Sequence, residues 1–498
     1  TNLEIISHIG GDSEVLEQLE KINKIYDLMA LCASYVMNEY NKPDNKYEFA
    51  TFDDAQFDCV YDAVELYTHN CQYQGHRAAF NELREFALSF LKDNLTVERV
   101  YAVVYYMDEL VDIEINDNFL EGRHVIKYEA LNEQYQDCIR IIPKKFKSFL
   151  DSGDAWYRTT KDSEYSMLRD RRECACSCFD GEMSNYSIWN KRLIEKYPLT
   201  IYRFDKKSMV AQRFCDRSKF NFGIVPFTDK ALEQILDIRY RNRAFFIDKM
   251  HEESEEELLK RYDDICDRSQ KSEVDFLIFP EMLLTNDIVS GRKSQAGRDA
   301  QIIINGSISQ NRVNKTIVTD GNKNEIFRYC KKEPFTMEDK GKEYKEWLDS
   351  AQNKEYSIME IEGIGRVGIA ICKDLLSEDV RMLHKHVGTD VLIVPAYTSS
   401  SDLLSAAQNM STDYNCVVVI ANACSAIGSA SLDKEIGFIT LPMKCKGNRR
   451  GSRVIPYFRK DCAESCSAMC IGKKIEIDFN DTKEDEEGIS YQVRESQF

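Results

Sequence analysis

Apolar residues recur at three- and four-residue spacings through the first part of the chain, then give way near Phe220 to short apolar runs separated by charged stretches. In EVLEQLEKINKIYDLMALCASYVMNEY, Leu16, Leu19, Ile22, Ile25, Tyr26 and Met29 follow the period of an amphipathic helix. FDDAQFDCVYDAVELY, FNELREFALSFLKDN and TVERVYAVVYYMDELVDI repeat the habit, which predicts an all-α bundle over residues 1–143. No shared residue pattern marks these segments as a named helical repeat. Residues 144–218 mix charges, serines and cysteines without a period and read as a connector or small subdomain.

From residue 219 to 482 the text is of another kind. FNFGIVPF reads as a strand, ALEQILDIRYRNRAFFIDKM as the helix after it, and about Glu255 to Arg268 as a second helix. The runs VDFLIF, QIIINGSI, KTIVTD, EIFRYC, YSIMEI, VGIAI, VLIVP and VVVIA then alternate with helices or turns, and Asp320-Gly321 is a hairpin signal. This alternation predicts an α/β layered domain, followed by an acidic tail over 483–498.

Composition sets limits on function. The net charge of −18 opposes broad attraction to phosphate backbones or acidic lipid, so nucleic acid is not an expected partner of this chain. No apolar run approaches the roughly 18 residues of a membrane span, and no basic segment followed by an apolar one opens the sequence. The reading is a cytoplasmic protein. Seventeen cysteines, diluted in a chain of this length, read as free thiols. The chain begins at Thr1, which suggests processing or a longer parent polypeptide.

Three strings carry candidate chemistry. VDFLIFPE ends an apolar strand at Pro280 and places Glu281 next; lost hydration there would raise the carboxyl pKa and suit it to general-base work. VGIAICKDLL puts Cys372 where a buried strand yields to the helix SEDVRMLHKHVG, a turn that exposes sulfur and aims backbone N–H groups at whatever it attacks. FRYCKKEPF places Lys331 after the hairpin. Each alone has a bland reading: a solvated strand-end acid, an inert core thiol, a surface lysine. Their interest lies in their company, and a shared site would require the three side chains to converge within about 3 to 5 Å.

In order, context and spacing these strings closely resemble the catalytic strings of the nitrilase (carbon–nitrogen hydrolase) superfamily. The resemblance extends from about Phe220 to Asp478: Asn242, Gly306-Ser307, Arg381, the run Gly388 to Pro395, Asp413 and Asn422 also have family counterparts. It implies a four-layer α-β-β-α sandwich behind the all-α domain. It also implies a hydrolase of amides or nitriles, with Cys372 as nucleophile, Glu281 as base and Lys331 stabilising developing charge. No metal or other cofactor is implied. Glu338 falls where many members carry a second glutamate that positions substrate and lysine. A dimer or larger homo-oligomer is implied through DVRMLHKHVG and DLLSAAQNMSTDYN.

The chain also departs from the family pattern. Lys373 stands where an aromatic residue is common, which would make the pocket rim basic and help position substrate. Met410 replaces an expected arginine, and the first strand ends in Pro226-Phe227. Cys174, Cys176 and Cys178 form C-x-C-x-C, and Cys462, Cys466 and Cys470 would line one helical face; neither cluster has common zinc spacing. His384 and His386 flank Lys385 on what reads as a surface helix and point apart. His8, His69, His76 and His124 of the helical part show no ligand spacing, which leaves that part as a partner-binding or assembly module. The rival to an enzyme is a nitrilase-like binding or assembly module. The pairing of a helical half with a divergent nitrilase-like module resembles the nitrilase-bearing part of antiviral reverse transcriptase–nitrilase fusions. No Tyr-x-Asp-Asp string occurs, so the chain would follow the polymerase.

Overall fold

The computed structural model describes residues 199–498, except 216, 292–300, 311, 340, 350–354, 428–431, 447–448, 463–469 and 485–487. Before 199 it describes 31–32, 35, 85, 87–92, 95–96, 99–100, 103–104 and the strands Arg123–Tyr128, Arg140–Pro143 and Tyr186–Trp189. Two compact units result. One comprises 1–120, 130–144 and 154–195, the other 121–129, 145–153 and 196–498.

In the first unit, Leu31, Cys32, Ala87, Leu91, Val100, Val103 and Val104 lie in helix and are buried, in keeping with an apolar helical stripe. Within the stretch 1–143 expected to be all-α, Arg123–Tyr128 is instead a strand paired with Leu199–Phe204 of the second unit's sheet, and Arg140–Pro143 forms a two-stranded antiparallel ribbon with Tyr186–Trp189. Cys174, Cys176 and Cys178 lie outside the described residues, as do His8, His69 and His76.

The second unit is mixed α/β, built on a sixteen-stranded hydrogen-bonded sheet that curls into two facing arms. One arm runs through Leu199–Phe204, Tyr356–Ile361, Gly365–Ile369, Val391–Ala396 and Val417–Asn422. The other runs through Lys219–Ile224, Phe276–Ile278, Ile302–Ile304 and Val313–Asp320, with Glu325–Cys330 paired to the last. Long strands join them: Glu435–Cys445, Gly488–Gln497 and Lys473–Glu484. The arms meet at ring contacts, Tyr202 to Phe327 at 5.4 Å and Tyr329 to Tyr356 at 6.0 Å between centroids.

Helices cover both outer faces, which is why Val391–Ala396 and Val417–Asn422 are buried along their whole length. The helix Glu252–Lys271 lays Leu258, Tyr262, Ile265 and Cys266 into the core that holds Leu277, Phe279 and Ile303. Glu378–Val387 and Asp402–Tyr414 cover the other arm, where His384 lies against Gly368 and Ser411 bonds Thr440 Oγ1 at 2.7 Å. This is the expected α-β-β-α order.

Several local expectations are corrected. ALEQILDIRYRNRAFFIDKM is a hairpin rather than a long helix. A single helical turn, Leu232–Ile235, leads into Leu236–Arg241 paired antiparallel with Ala244–Met250. Asn242 and Arg243 turn the chain at φ of 50° and 60°, the left-handed pair of a tight hairpin. LTIYRF, within the expected connector, is the strand Leu199–Phe204. Its Arg203 is tolerated because Glu360 on the parallel neighbour pairs with it at 3.0 Å. The supposed tail contains the strand Gly488–Gln497, paired with Lys473–Glu484. His384 is buried, bonded to Tyr356 and Thr389. Met410 is fully buried, so an apolar side chain takes the place expected of arginine.

Among the described residues, no helix is long and apolar enough to cross a membrane and no His, Cys, Asp or Glu cluster is fit to hold a metal ion. Cys462 and Cys470 are buried; Cys466 lies outside the described residues.

Candidate active site

The three strings meet where strands of both arms end. The strand Phe276–Ile278 runs out through Phe279-Pro280, and Gly306 lets the chain pass. At φ +52°, a Cβ there would lie 1.9 Å from the Pro280 carbonyl oxygen. Ser307 Oγ accepts the Met282 N–H at 3.1 Å, and Glu281 N–H donates across to Ala396 O at 3.2 Å. Glu281 is thereby held between the two arms, with no exposed surface.

Lys331 follows the strand Glu325–Cys330, which the hairpin from Val313–Asp320 brings alongside, and its N–H donates to Asn314 O at 2.8 Å. Its ammonium donates to Glu281 Oε1 at 2.6 Å and to Glu346 Oε2 at 2.7 Å, with all three side chains buried. Asn314 Nδ2 bridges the same two carboxylates, at 3.0 Å to Glu281 Oε1 and 2.8 Å to Glu346 Oε1.

Cys372 ends the neighbouring chain segment after Gly365–Ile369 and opens a short 3-10 turn, Cys372–Leu376. Its φ of 48° is a left-handed value that non-glycine residues seldom adopt, and such strain is kept where the surroundings enforce it. Its thiol feels the charges of Glu281 and Lys331 and lies beside the backbone of Tyr397. Glu281 Oε2 is buried without a hydrogen-bond partner among the described residues, beside the Cys372 thiol. The sulfur is not open at a sheet edge as expected: Cys372 is 3 % exposed.

Electrostatics divides the roles. Burial pushes the Glu281 carboxyl up; Lys331 opposes this and Glu346 reinforces it. Burial would discharge Lys331, but the carboxylates of Glu281 and Glu346 outweigh it and hold the lysine cationic. Burial, then the Glu281 charge, push the Cys372 thiol up against the pull of Lys331. The resting state is therefore thiol beside carboxylate, with one cation between two acids. A proton arriving on Glu281 relieves excess negative charge, which suits that group to take the thiol proton.

Sequence reasoning missed Glu346 and Asn314. Glu338 was the expected second acid; it lies on Thr336–Asp339, its backbone opposite Glu343, whereas the second carboxylate on Lys331 belongs to Glu346 at the end of Lys342–Glu346. Lys373 is half-buried, and its ammonium lies 3.5 Å from Thr336 Oγ1.

Fold and site together define an α/β sandwich with a buried cysteine–glutamate–lysine cluster at converging strand ends. The chain is similar to Saccharomyces cerevisiae Nit3, described as a member of branch 10 of the nitrilase superfamily. The match has 12% identity and a TM-score of 0.31, over 48% of this chain and 90% of that one. The C. elegans NitFhit protein matches at 14% identity and a TM-score of 0.31, over 48% of this chain and 61% of that one. An amidase from Nesterenkonia sp. matches at 11% identity and a TM-score of 0.27, over 49% and 92%. No family model matches the chain, and no curated protein matches it.

Proposed function

We propose that the chain is a thiol hydrolase of non-peptide carbon–nitrogen bonds, in amides or nitriles. The observation that carries this reading is a strained, buried cysteine within electrostatic reach of a buried carboxylate that is bound through one oxygen to a buried lysine. Packing alone gives no reason to bury a cation with two acids beside a thiol, since unbalanced buried charge costs stability.

For an amide, Glu281 takes the Cys372 proton as sulfur bonds to the carbonyl carbon. The C=O pair moves onto oxygen, where Lys331 stabilises it. The pair then returns, the C–N bond breaks, and Glu281 passes its proton to the departing ammonia or amine. Water, deprotonated by Glu281, adds to the thioester; the C–S bond breaks and the thiol is restored, releasing the acid. Glu346 and Asn314 keep Lys331 and Glu281 aligned throughout. Lys373, on the rim, favours substrates with a negative charge away from the scissile bond.

The test is ammonia release from a panel of small amides and nitriles, neutral and acidic, by the full chain and by Cys372→Ala. Release by the parent and none by the variant is expected. Equal release by both, or none by a folded parent across the panel, contradicts the reading.

A further inference from the structure

We propose that Asp374 is a positioning residue that holds Lys331 against the Cys372 thiol. The inference rests on the hydrolase reading of the site and adds to it a residue that touches none of the reacting atoms. Asp374 is fully buried, two residues beyond the nucleophile, and its carboxylate takes four hydrogen bonds. Oδ1 accepts the N–H groups of Lys332 at 2.9 Å and Glu333 at 2.7 Å. Oδ2 accepts the Ile371 N–H at 3.2 Å and the Tyr329 hydroxyl at 3.0 Å.

A local cap of the 3-10 turn needs only the bond to Ile371. The other three reach the segment that carries the catalytic lysine. The backbone of Lys331 is thus fixed on both sides, its own N–H on Asn314 O at 2.8 Å and the next two N–H groups on Asp374. A second tie runs parallel, Ser377 Oγ donating to Glu333 Oε1 at 3.0 Å. One rigid carboxylate therefore sets the distance between the strand end that presents the ammonium and the turn that presents the sulfur. Catalysis is sensitive to such distances at the ångström level.

The arrangement requires an acceptor on both oxygens, because each already receives two donors; a proton on either would face another donor. Keeping an ionised acid buried here works against the fold. Burial moves Asp374 from its ordinary 3.8 up to about 6, despite the N–H groups of Glu333, Ile371 and Lys332 and the charge of Lys331. For an acid raised in the folded state, the linked stability is fully present below the unfolded value and lost as pH rises through about 6. At neutral pH the ionised side chain thus lowers stability, as expected of a group retained for what it positions.

The experiment is a double-mutant cycle read on thiol chemistry. Alkylation of Cys372 by iodoacetamide at pH 7.5 is followed by mass spectrometry in the full chain, Asp374→Asn, Lys331→Met and the double variant. Each single variant is expected to slow labelling of Cys372 by on the order of tenfold, since thiolate formation depends on the nearby cation. The double variant is expected to be no slower than Lys331→Met, because Asp374 acts through the lysine. A merely structural role would leave the two effects additive. Additive effects, or labelling of Asp374→Asn at the parent rate, overturn the proposal. Should Asp374→Asn not fold, Tyr329→Phe removes one of the four donors; non-additive slowing of about twofold supports the proposal and no slowing overturns it. Alkylation needs no turnover, so a chain that labels as expected yet releases no ammonia would fail the hydrolase reading and leave Asp374's positioning role standing.

Discussion

Two fully buried acids bracket one short strand: Asp275 just before Phe276–Ile278 and Glu281 just beyond it. Asp275 is saturated. Arg213 and Arg217 reach Oδ1 at 2.6 and 3.1 Å, and Oδ2 takes the Asn221 N–H at 2.8 Å. Glu281 must share one lysine with Glu346 and keeps an oxygen free of N–H and O–H donors. Saturation by donors fixes an acid in one place and makes it architecture. Incomplete satisfaction beside a thiol leaves it able to gain and lose a proton, which is chemistry.

The sharpest way to break the contrast is to remove the chemistry and keep the architecture. Cys372→Ala is expected to cost at least about 10⁴-fold in turnover, and Glu281→Gln about 10²- to 10⁴-fold in kcat. Glu281→Gln also leaves Lys331 paired with Glu346 alone, a neutral pair, so its unfolding midpoint in urea should equal or exceed that of the parent. A large drop in stability would make Glu281 architectural after all.

Asp275→Asn should do the opposite. It strands Arg213 and Arg217, which are 22% and 35% exposed and so recover part of their hydration; a loss of about 2 to 3 kcal/mol follows. The folded fraction should retain kcat in ammonia release, and a proportionate loss of kcat would couple the two ends of the strand.

A pH series gives a smaller effect. Glu281, facing Lys331, Glu346 and the Cys372 thiol, is raised, and Asp374, facing Lys331, Lys332, Tyr329 and Tyr356, is raised to about 6. Both must be ionised to work, so turnover should fall about tenfold for each unit below pH 6 through Asp374, and more steeply where Glu281 is protonated too. The stability linked to Asp374 runs the other way, lessening as pH rises through about 6. Parallel loss of turnover and stability on acidification in this range would show that unfolding sets the limb. Smallest of all, Lys373→Gln should raise KM a few-fold for acidic amides and leave kcat and neutral amides unchanged.

What was legible in the sequence follows the same division. The strand ends before Glu281, Lys331 and Cys372 are written locally, in apolar runs that stop at Pro280, at the hairpin around Asp320-Gly321 and at the turn after Ile371. Glu346 was not legible, because EPFTMEDKGKEYKEW offers several acids and the choice is made by pairing. Lys342–Glu346 lies parallel to Ala244–Met250, with Glu346 opposite Phe245. That partner was itself read as a helix, since a short apolar segment fits either period and the Asn242-Arg243 turn carries no glycine. The enclosure of Cys372 was hidden for a related reason: Ala396, which ends the adjacent parallel strand, and Tyr397, which follows it, lie beside Glu281 and Cys372, and no local pattern specifies that lid. Asp374 lies within the string VGIAICKDLL, yet its role depends on donors from a distant hairpin.

The most direct test of the account is to trap the covalent step. Full-length protein is mixed with an amide that supports ammonia release, quenched in acid within the turnover time, and digested for mass spectrometry. The account predicts that the peptide containing Cys372 carries the substrate's acyl group as a thioester, having lost ammonia, and that Cys372→Ala shows neither adduct nor release. Ammonia release that continues in Cys372→Ala, or an acyl group found on another residue, would contradict it.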